Sequence, residues 1–145
     1  MEHMEIFHTS LLSLITFIIK IILASLCGAL VGLERQHEHK PAGARTLALV
    51  SLGSALFMII SLSLAENTII DVSRIPAQIV TGVGFLGAGA IIRESGTVRG
   101  LTTAAGVWMV AAVGMAIGAG MYLEGLLATF LAYIILGALP KFLNK

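Results

Sequence analysis

The stretch GLTTAAGVWMVAAVGMAIGAGMYL, residues 100–123, runs for 24 residues without a charged side chain. A bilayer core is crossed by roughly 20 helical residues, so this stretch predicts a transmembrane helix. The composition of the chain agrees, because 57% of its 145 residues are hydrophobic and 12% are charged, against about 25% charged in an ordinary soluble domain. With a mean hydropathy of +0.98, a soluble fold of this size could not hide its apolar surface.

Further uncharged runs lie on both sides of this stretch, at residues 46–65, 75–92 and 125–139. A fifth apolar run near the N-terminus is interrupted by Lys20, whose ammonium can reach the headgroups while its stem stays in lipid. The sequence therefore predicts an all-α integral membrane protein with a single domain, residues 1–145. Its fold is expected to be a five-transmembrane-helix bundle with helices at about 11–33, 46–65, 75–92, 100–118 and 121–139.

Basic residues fall mainly on one side of the predicted bundle. Cytoplasmic loops of membrane proteins are enriched in Lys and Arg, so the N-terminus is expected outside and the C-terminus in the cytoplasm. Seven of the nine basic residues follow the first helix, follow the third helix or lie in the C-terminal tail. They are Arg35, Lys40, Arg45, Arg93, Arg99, Lys141 and Lys145.

The segment TGVGFLGAGA, residues 81–90, contains the G-x-G-x-x-G spacing of dinucleotide-binding turns. Such a turn follows a strand and is followed by an acidic residue about 20 positions onward, where this chain reads the uncharged LTTAAGVW. Small residues that let membrane helices approach closely explain the glycines better, and the third helix, small on two faces, is predicted to be the middle helix of the bundle. The glycines assigned to helix packing are Gly28, Gly32, Gly82, Gly84, Gly87, Gly89, Gly114 and Gly118.

Polar residues gather at the predicted helix ends. Some of the arginines have an alternative role as topology anchors, and Thr102 with Thr103 can bond back to helix carbonyls. The functional or pairing candidates are Glu34, Arg35, Arg45, Thr46, Arg74, Gln78, Arg93, Arg99 and Thr102.

Two of these candidates carry specific expectations. A carboxylate near the membrane boundary is costly without a partner, so Glu34 is expected to pair with Arg45 or Arg99. Gln78 lies inside the third span, where it is either an interhelical hydrogen-bonding residue or part of a polar conduit or binding pocket.

No catalytic set can be assembled from the sequence, which offers no activated nucleophile, acid pair or metal cluster. We therefore expect no enzyme activity, no cofactor and no metal site. The run His37, Glu38 and His39 lacks a specific ligand spacing and is interpreted as a solvated linker. The expected partners are the lipid bilayer and another membrane protein complex, with a homodimer through free glycine grooves as a further expectation and no nucleic acid.

Four segments together resemble the MgtC/SapB family of bacterial inner-membrane proteins: GALVGLERQ (28–36), AGARTLALVSLGSALF (42–57), RIPAQIVTGVGFLGAGAIIRE (74–94) and VRGLTTAAGVW (98–108). The resemblance is to a short form without the soluble C-terminal domain of many members, and Thr102 stands where the virulence-type members have asparagine. It implies a multi-pass protein of the bacterial inner (plasma) membrane. The positions characteristic of the family would be Glu34, Arg35, Arg45, Thr46, Arg74, Gln78, Gly82, Gly87, Gly89, Arg99 and Gly100.

The family is linked to growth in low magnesium and to survival of pathogens inside macrophages, and its best known member is thought to restrain the ATP synthase. The resemblance thus favours a non-enzymatic membrane protein that regulates or docks another membrane complex. The alternative is a small ion or solute channel or transporter, related to magnesium, in which Gln78 and Thr81 line a path through an oligomer.

Overall fold

The computed structural model describes residues 2–65, 71–94 and 96–138, with side chains for 11–65, 71–94 and 96–137. Residue 139, the predicted end of the fifth helix, and the tail lysines counted for orientation lie outside the described residues. The elements, in chain order, are α1 (Glu2–His37), α2 (Ala44–Ala65), α3 (Arg74–Gly89), β1 (Ile92–Glu94), β2 (Thr97–Arg99), α4 (Leu101–Gly118), α5 (Tyr122–Tyr133) and a π-helical continuation, the π segment (Ile134–Ala138).

Three of the described helices are long and apolar enough to cross a membrane, namely Leu11–His37 within α1, Ala44–Ala65 and Leu101–Gly118. A shorter apolar helix covers Tyr122–Gly137. Large apolar side chains also cover the outside of the bundle, as Phe85 and Leu123 do with exposures of 82% and 77%. A mostly helical fold with an apolar exterior is that of a helical membrane protein, in which lipid takes the place of water.

The middle of the bundle is occupied by α4. Half of its 18 residues are buried, against 22% of an apolar 18-residue stretch of α1 and 28% of one of α2, and it packs against α1, α2, α3 and α5. Its core side chains include Val107, Val110, Val113 and Ile117. The sequence-based prediction that the third helix is the middle one is therefore wrong. The main contacts of α3 are with α2 and α4, and its Gly82, Gly84 and Gly89 have no described atom within 4 Å of an added Cβ.

Helix α3 ends at Gly89, three residues before the predicted boundary. The chain then forms a short antiparallel hairpin, in which Arg93 lies opposite Val98 across β1 and β2. Gly100 has a φ of +89° at the start of α4, and a side chain there would run into the carbonyl oxygen of Ala90. Only glycine adopts this conformation readily, and the turn lets α4 begin directly after the hairpin. Arg93, expected just after the third helix, therefore lies on a strand of a hairpin that the sequence analysis did not predict.

The reversal between α4 and α5 is three residues long. Gly120 supplies a φ of +87°, and the Lys20 Nζ of α1 donates a hydrogen bond of 3.0 Å to the Gly118 carbonyl oxygen. The last carbonyls of a helix have no partner within that helix, and a cation near them is favoured. Lys20 therefore satisfies the C-terminal end of α4 from within the bundle.

Candidate functional site

The glycines of α1 and α4 lie directly against α2. A Cβ added at Gly32 would come 2.5 Å from the Cα of Ala44, and one at Gly118 would come 3.0 Å from the Cα of Ala55. A Cβ added at Gly28 would run into the backbone oxygen of Leu47, and one added at Gly114 would run into the backbone oxygen of Ser51. Contacts of backbone with backbone require the smallest residue, so these four glycines hold α1, α2 and α4 together.

The glycines of α3 divide into two groups. Gly87 faces α4, where an added Cβ would lie 3.5 Å from the Cβ of Ala104. Gly82, Gly84 and Gly89 have no atom of the described chain within 4 Å of an added Cβ. The structure therefore brings only Gly87 of this set against another helix of the same chain.

A long groove separates α2 from α3, and we call it the lateral groove. Its volume is about 1280 Å³. Gly53 of α2 and Gly82 of α3 both line it, and both have open space where a Cβ would stand. The remaining lining residues are Arg45, Thr46, Leu49, Val50, Ser54, Phe57, Ser61, Leu64, Asp71, Ser73, Arg74, Ile75, Ala77, Gln78, Ile79, Val83 and Leu86.

Four predicted candidates lie along this groove: Arg45 and Thr46 at the beginning of α2, and Arg74 and Gln78 at the beginning of α3. All four are exposed. Because α2 and α3 run in opposite directions, Arg45 and Arg74 mark opposite ends of the groove. The walls between them are mostly apolar, with polar side chains at Ser54 and Gln78.

Asp71 organises the groove end that holds Arg74. Its Oδ1 accepts hydrogen bonds from the Ser73 hydroxyl at 2.7 Å and the Ser73 backbone N–H at 2.9 Å. These two bonds, together with the charge of Arg74, lower the pKa of the Asp71 carboxyl. The Ser61 hydroxyl donates to the Val72 carbonyl oxygen at 2.9 Å, which ties the same segment to α2.

Near the C-terminal end of α1, the Arg35 side chain is buried within the bundle. Only 5% of this residue is exposed, and its Nη2 donates a hydrogen bond of 2.8 Å to the Thr103 Oγ1 in the first turn of α4. The predicted candidate Thr102 is exposed, while its neighbour Thr103 is buried. Both Thr102 and Thr103 are considered in the sequence analysis. Their position in the first turn of α4 does not show which of the two adjacent hydroxyls faces the inside of the bundle.

The pairing predicted for Glu34 is wrong. Glu34 is buried, with 9% exposure, and among the described residues neither carboxylate oxygen has a hydrogen-bond partner. Arg45 lines the lateral groove. Arg99 is exposed on β2, opposite Ile92 of β1, and Arg93 of β1 is exposed as well. The side chain of Glu34 instead borders a second, smaller pocket of about 390 Å³ between α1 and the end of α5.

The described residues contain no group of three His, Cys, Asp or Glu side chains arranged to hold a metal ion. The fold and its two pockets thus define the class of the protein. It is a small helical membrane protein that packs its helices through glycine and has a polar-ended groove on its side.

The chain belongs to the MgtC family, whose profile matches residues 21–145. It is 50% identical over 128 residues, 83% of this chain, to "Putative magnesium transporter YhiD" of Escherichia coli K12, covering 59% of that protein. It is 45% identical over 115 residues, 79% of this chain, to "Protein MgtC" of Salmonella typhimurium, covering 48% of that protein. It is also 42% identical over 130 residues, 88% of this chain, to "Uncharacterized protein slr0014" of Synechocystis, covering 55% of it.

The chain thus spans about half to three fifths of the length of these curated relatives. No solved structure matches the chain.

Proposed function

We propose that this chain is a non-enzymatic protein of the bacterial inner membrane that docks to, and regulates, another membrane complex through the lateral groove. The observation that carries the proposal is the open space at Gly53 and Gly82, on the two facing walls of the groove. Gly28, Gly32, Gly114 and Gly118 are needed for contacts between helices of the chain, whereas an added Cβ at Gly53 or Gly82 would have no described atom within 4 Å. In lipid, a small residue on a helix surface favours close approach by a further helix.

The dimensions of the groove suit a transmembrane helix. From Arg45 to Leu64 the α2 wall covers 20 residues, or about 28 Å at a rise of 1.5 Å from each residue to the next, close to the roughly 30 Å of the hydrocarbon core. Arginines stand near both ends of the groove, and apolar walls lie between them. We therefore propose as occupant a single transmembrane helix with a small-residue face and acidic or polar residues near its ends.

A topology of five spans, with the N-terminus outside and the C-terminus cytoplasmic, belongs to this proposal. It is supported by the position of the basic residues, since the end of α1, the start of α2 and the hairpin gather Arg35, Lys40, Arg45, Arg93 and Arg99 near one end of the bundle. Clusters of basic residues favour the cytoplasmic side. Labelling of Lys40→Cys from the cytoplasm and of Val72→Cys from outside would support it, and the reverse pattern would contradict it.

The family resemblance suggests which complex is docked. We propose the ATP synthase as the first candidate, together with a contribution to growth in low magnesium and to virulence. A second copy of this chain is another candidate occupant, and it would produce a homodimer.

Leucine substitutions test the docking proposal. Gly53→Leu and Gly82→Leu fill the groove, while Gly84→Leu is the matched control because Gly84 has equally open space on α3 but does not line the groove. Each variant carries an affinity tag and is purified in mild detergent from native membranes. We expect the co-purifying membrane protein to fall at least about tenfold for the groove variants, since loss of a helix contact worth 1.4 kcal/mol already reduces association tenfold. Equal recovery with all three variants would refute the proposal.

The alternative function is a conduit for ions or a small solute. Gln78 and the two arginines make the lateral groove partly polar, and one relative is called a "Putative magnesium transporter". Flux into liposomes that contain the purified protein separates the two functions. Saturable flux that is lost in Gln78→Leu would favour the conduit over docking.

A further inference from the structure

The Glu34 carboxylate is the most costly unsatisfied group in the described part of the chain. Glu34 is more than nine-tenths buried, and neither oxygen accepts a hydrogen bond. A buried charge without a partner costs several kcal/mol and is retained in membrane proteins at functional positions. The neighbouring Arg35 forms no hydrogen bond with it, since the Arg35 Nη2 donates to Thr103 of α4 and the buried Arg35 Nε has no partner among the described residues.

We propose that the pocket beside Glu34 binds a hydrated divalent cation between α1 and the end of α5. The site is distinct from the lateral groove, and the inference does not rest on the docking function. Its lining includes two carboxylates, Glu34 and Glu38, together with the His37 imidazole and the Tyr133 hydroxyl. Two carboxylates at one pocket give a formal charge of −2, which a single divalent ion balances.

The geometry of α1 places these groups together. Glu34, His37 and Glu38 follow the i, i+3, i+4 spacing that lies on one face of a helix, and the Glu38 N–H still donates to the Glu34 carbonyl oxygen at 3.1 Å. The pocket also stands at the C-terminal end of a 36-residue helix. The partial negative charge of a helix C-terminus favours a cation there.

The space in the pocket indicates the form of the ion. A water molecule takes up about 30 Å³, so an ion with six waters needs on the order of 200 Å³, and the pocket offers about 390 Å³. A tight cage of protein ligands is not formed among the described residues. An ion that keeps several waters and binds one or two carboxylates agrees with the volume of the pocket and with its small number of protein ligands. This is the usual binding mode of Mg²⁺.

Gly137 of the π segment closes the site. A Cβ at this position would lie 2.9 Å from the Glu34 Cγ and 3.6 Å from its Oε1, so a side chain here would press on the Cγ and require the Glu34 side chain or the π segment to shift. Single π-helical turns within α-helices occur frequently at functional sites. The π segment therefore presents its smallest residue directly to the unpaired acid.

Mn²⁺ serves as the probe, because its electron paramagnetic resonance signal is lost on binding. The full chain is placed in nanodiscs of phosphatidylcholine, which has no net charge, and titrated with MnCl2 at constant ionic strength. We expect saturable binding of one ion that is competed by MgCl2. Glu34→Gln should weaken it at least about tenfold, in line with other metal-site residues, and Glu38→Gln should weaken it less. Glu124→Gln, an exposed acid at the start of α5, is the matched control and should leave it unchanged.

Two more variants keep the test decisive. Gly137→Ala should reduce binding while both carboxylates remain, with the fluorescence of Trp108 reporting that the bundle is folded. Lys141, four residues after Gly137 in the sequence and outside the described residues, is replaced in Lys141→Gln to test an internal counter-charge. The proposal expects unchanged binding in this variant. It is overturned if Glu34→Gln binds Mn²⁺ as the wild type does, or if binding arises only in Lys141→Gln. It is also overturned if the wild type shows no saturable binding up to about 10 mM, roughly tenfold above the dissociation constants of the weakest class of protein Ca²⁺ sites.

Discussion

Gly114→Ala should destabilise the bundle although alanine is the better helix former. The added methyl group would overlap the carbonyl oxygen of Ser51 on α2, and it would lie 3.0 Å from the Ser51 Cα. Carbon and oxygen atoms in close contact are about 3.3–3.6 Å apart, so α2 and α4 must separate by roughly 1 Å. A gap of that size removes a quarter to a half of the dispersion energy of the atoms that face it.

The magnitude follows from two opposing effects. Overpacking of a well-packed core costs about 1–3 kcal/mol, whereas exchange of glycine for alanine inside a helix gains about 0.5–1 kcal/mol. At Gly114 the first effect prevails, and we expect a net loss of about 1–2 kcal/mol. At Gly84, where no described atom lies within 4 Å of an added Cβ, only the second applies, and Gly84→Ala should be neutral or more stable.

Unfolding by sodium dodecyl sulphate in mixed micelles measures both variants. Trp108, the single tryptophan of the chain, lies on α4 and reports the transition by its fluorescence. The difference between Gly114→Ala and Gly84→Ala is the decisive quantity, because both exchanges have the same intrinsic helix propensity. If the two variants shift stability in the same direction, the close contact of α4 with α2 is refuted.

Three further predictions concern polar contacts. Thr103→Val should cost about 1.5–3 kcal/mol in the same assay because it leaves the buried Arg35 guanidinium without its partner, while Thr102→Val should stay within about 0.5 kcal/mol; equal effects would contradict the contact. Lys20→Met keeps the apolar stem but removes the bond to the Gly118 carbonyl oxygen, so we expect a loss of about 1–3 kcal/mol, and an unchanged unfolding midpoint would speak against it. The lowered pKa of Asp71 implies that its hydrogen bonds to Ser73 stabilise the folded state at pH values above the pKa of this carboxyl in the unfolded chain. This stabilisation is lost as the pH falls through the lower pKa of the folded state. Ser73→Ala removes the hydroxyl donor but keeps the backbone N–H donor, so carboxyl NMR should find a higher Asp71 pKa in this variant, and an unchanged pKa would exclude the hydroxyl bond as a cause.

The helices of this fold could be predicted because lipid permits few alternatives. An uncharged run of about 20 residues in lipid forms a helix because a helix satisfies all its backbone hydrogen bonds internally. The second and fourth predicted helices accordingly differ from α2 and α4 by two residues or fewer at each boundary. The hairpin after α3 could not be predicted in this way. Its strands have three residues each, too few for an alternating pattern, and Ile92 extended the apolar run of the helix before it.

The arrangement of the helices was harder to predict than their positions. Gly82 and Gly114 both occur in small-residue patterns, but among the described residues only Gly114 lies against another helix. In a membrane the outside of a bundle is as apolar as its inside, so hydrophobicity does not distinguish them. The central position of α4 depends on contacts between distant segments, which local patterns do not contain.

The candidate site was predicted in part. Arg45, Thr46, Arg74 and Gln78 were selected at helix ends, and the structure places all four along the lateral groove. The pocket beside Glu34 was missed, although the spacing of Glu34, His37 and Glu38 could have indicated it. The run from His37 to His39 is predicted to be a solvated linker, whereas α1 continues to His37.

Site-specific photo-cross-linking tests the docking proposal most directly. A benzophenone derivative of phenylalanine replaces Phe57, which is 53% exposed and lines the lateral groove, or Phe85, which is 82% exposed and lies outside the groove lining. Irradiation in living cells should link position 57 to one discrete membrane protein, which mass spectrometry identifies, and position 85 should give lipid adducts only. Cross-links of equal strength from both positions, or none from position 57, would contradict a docking function of the groove.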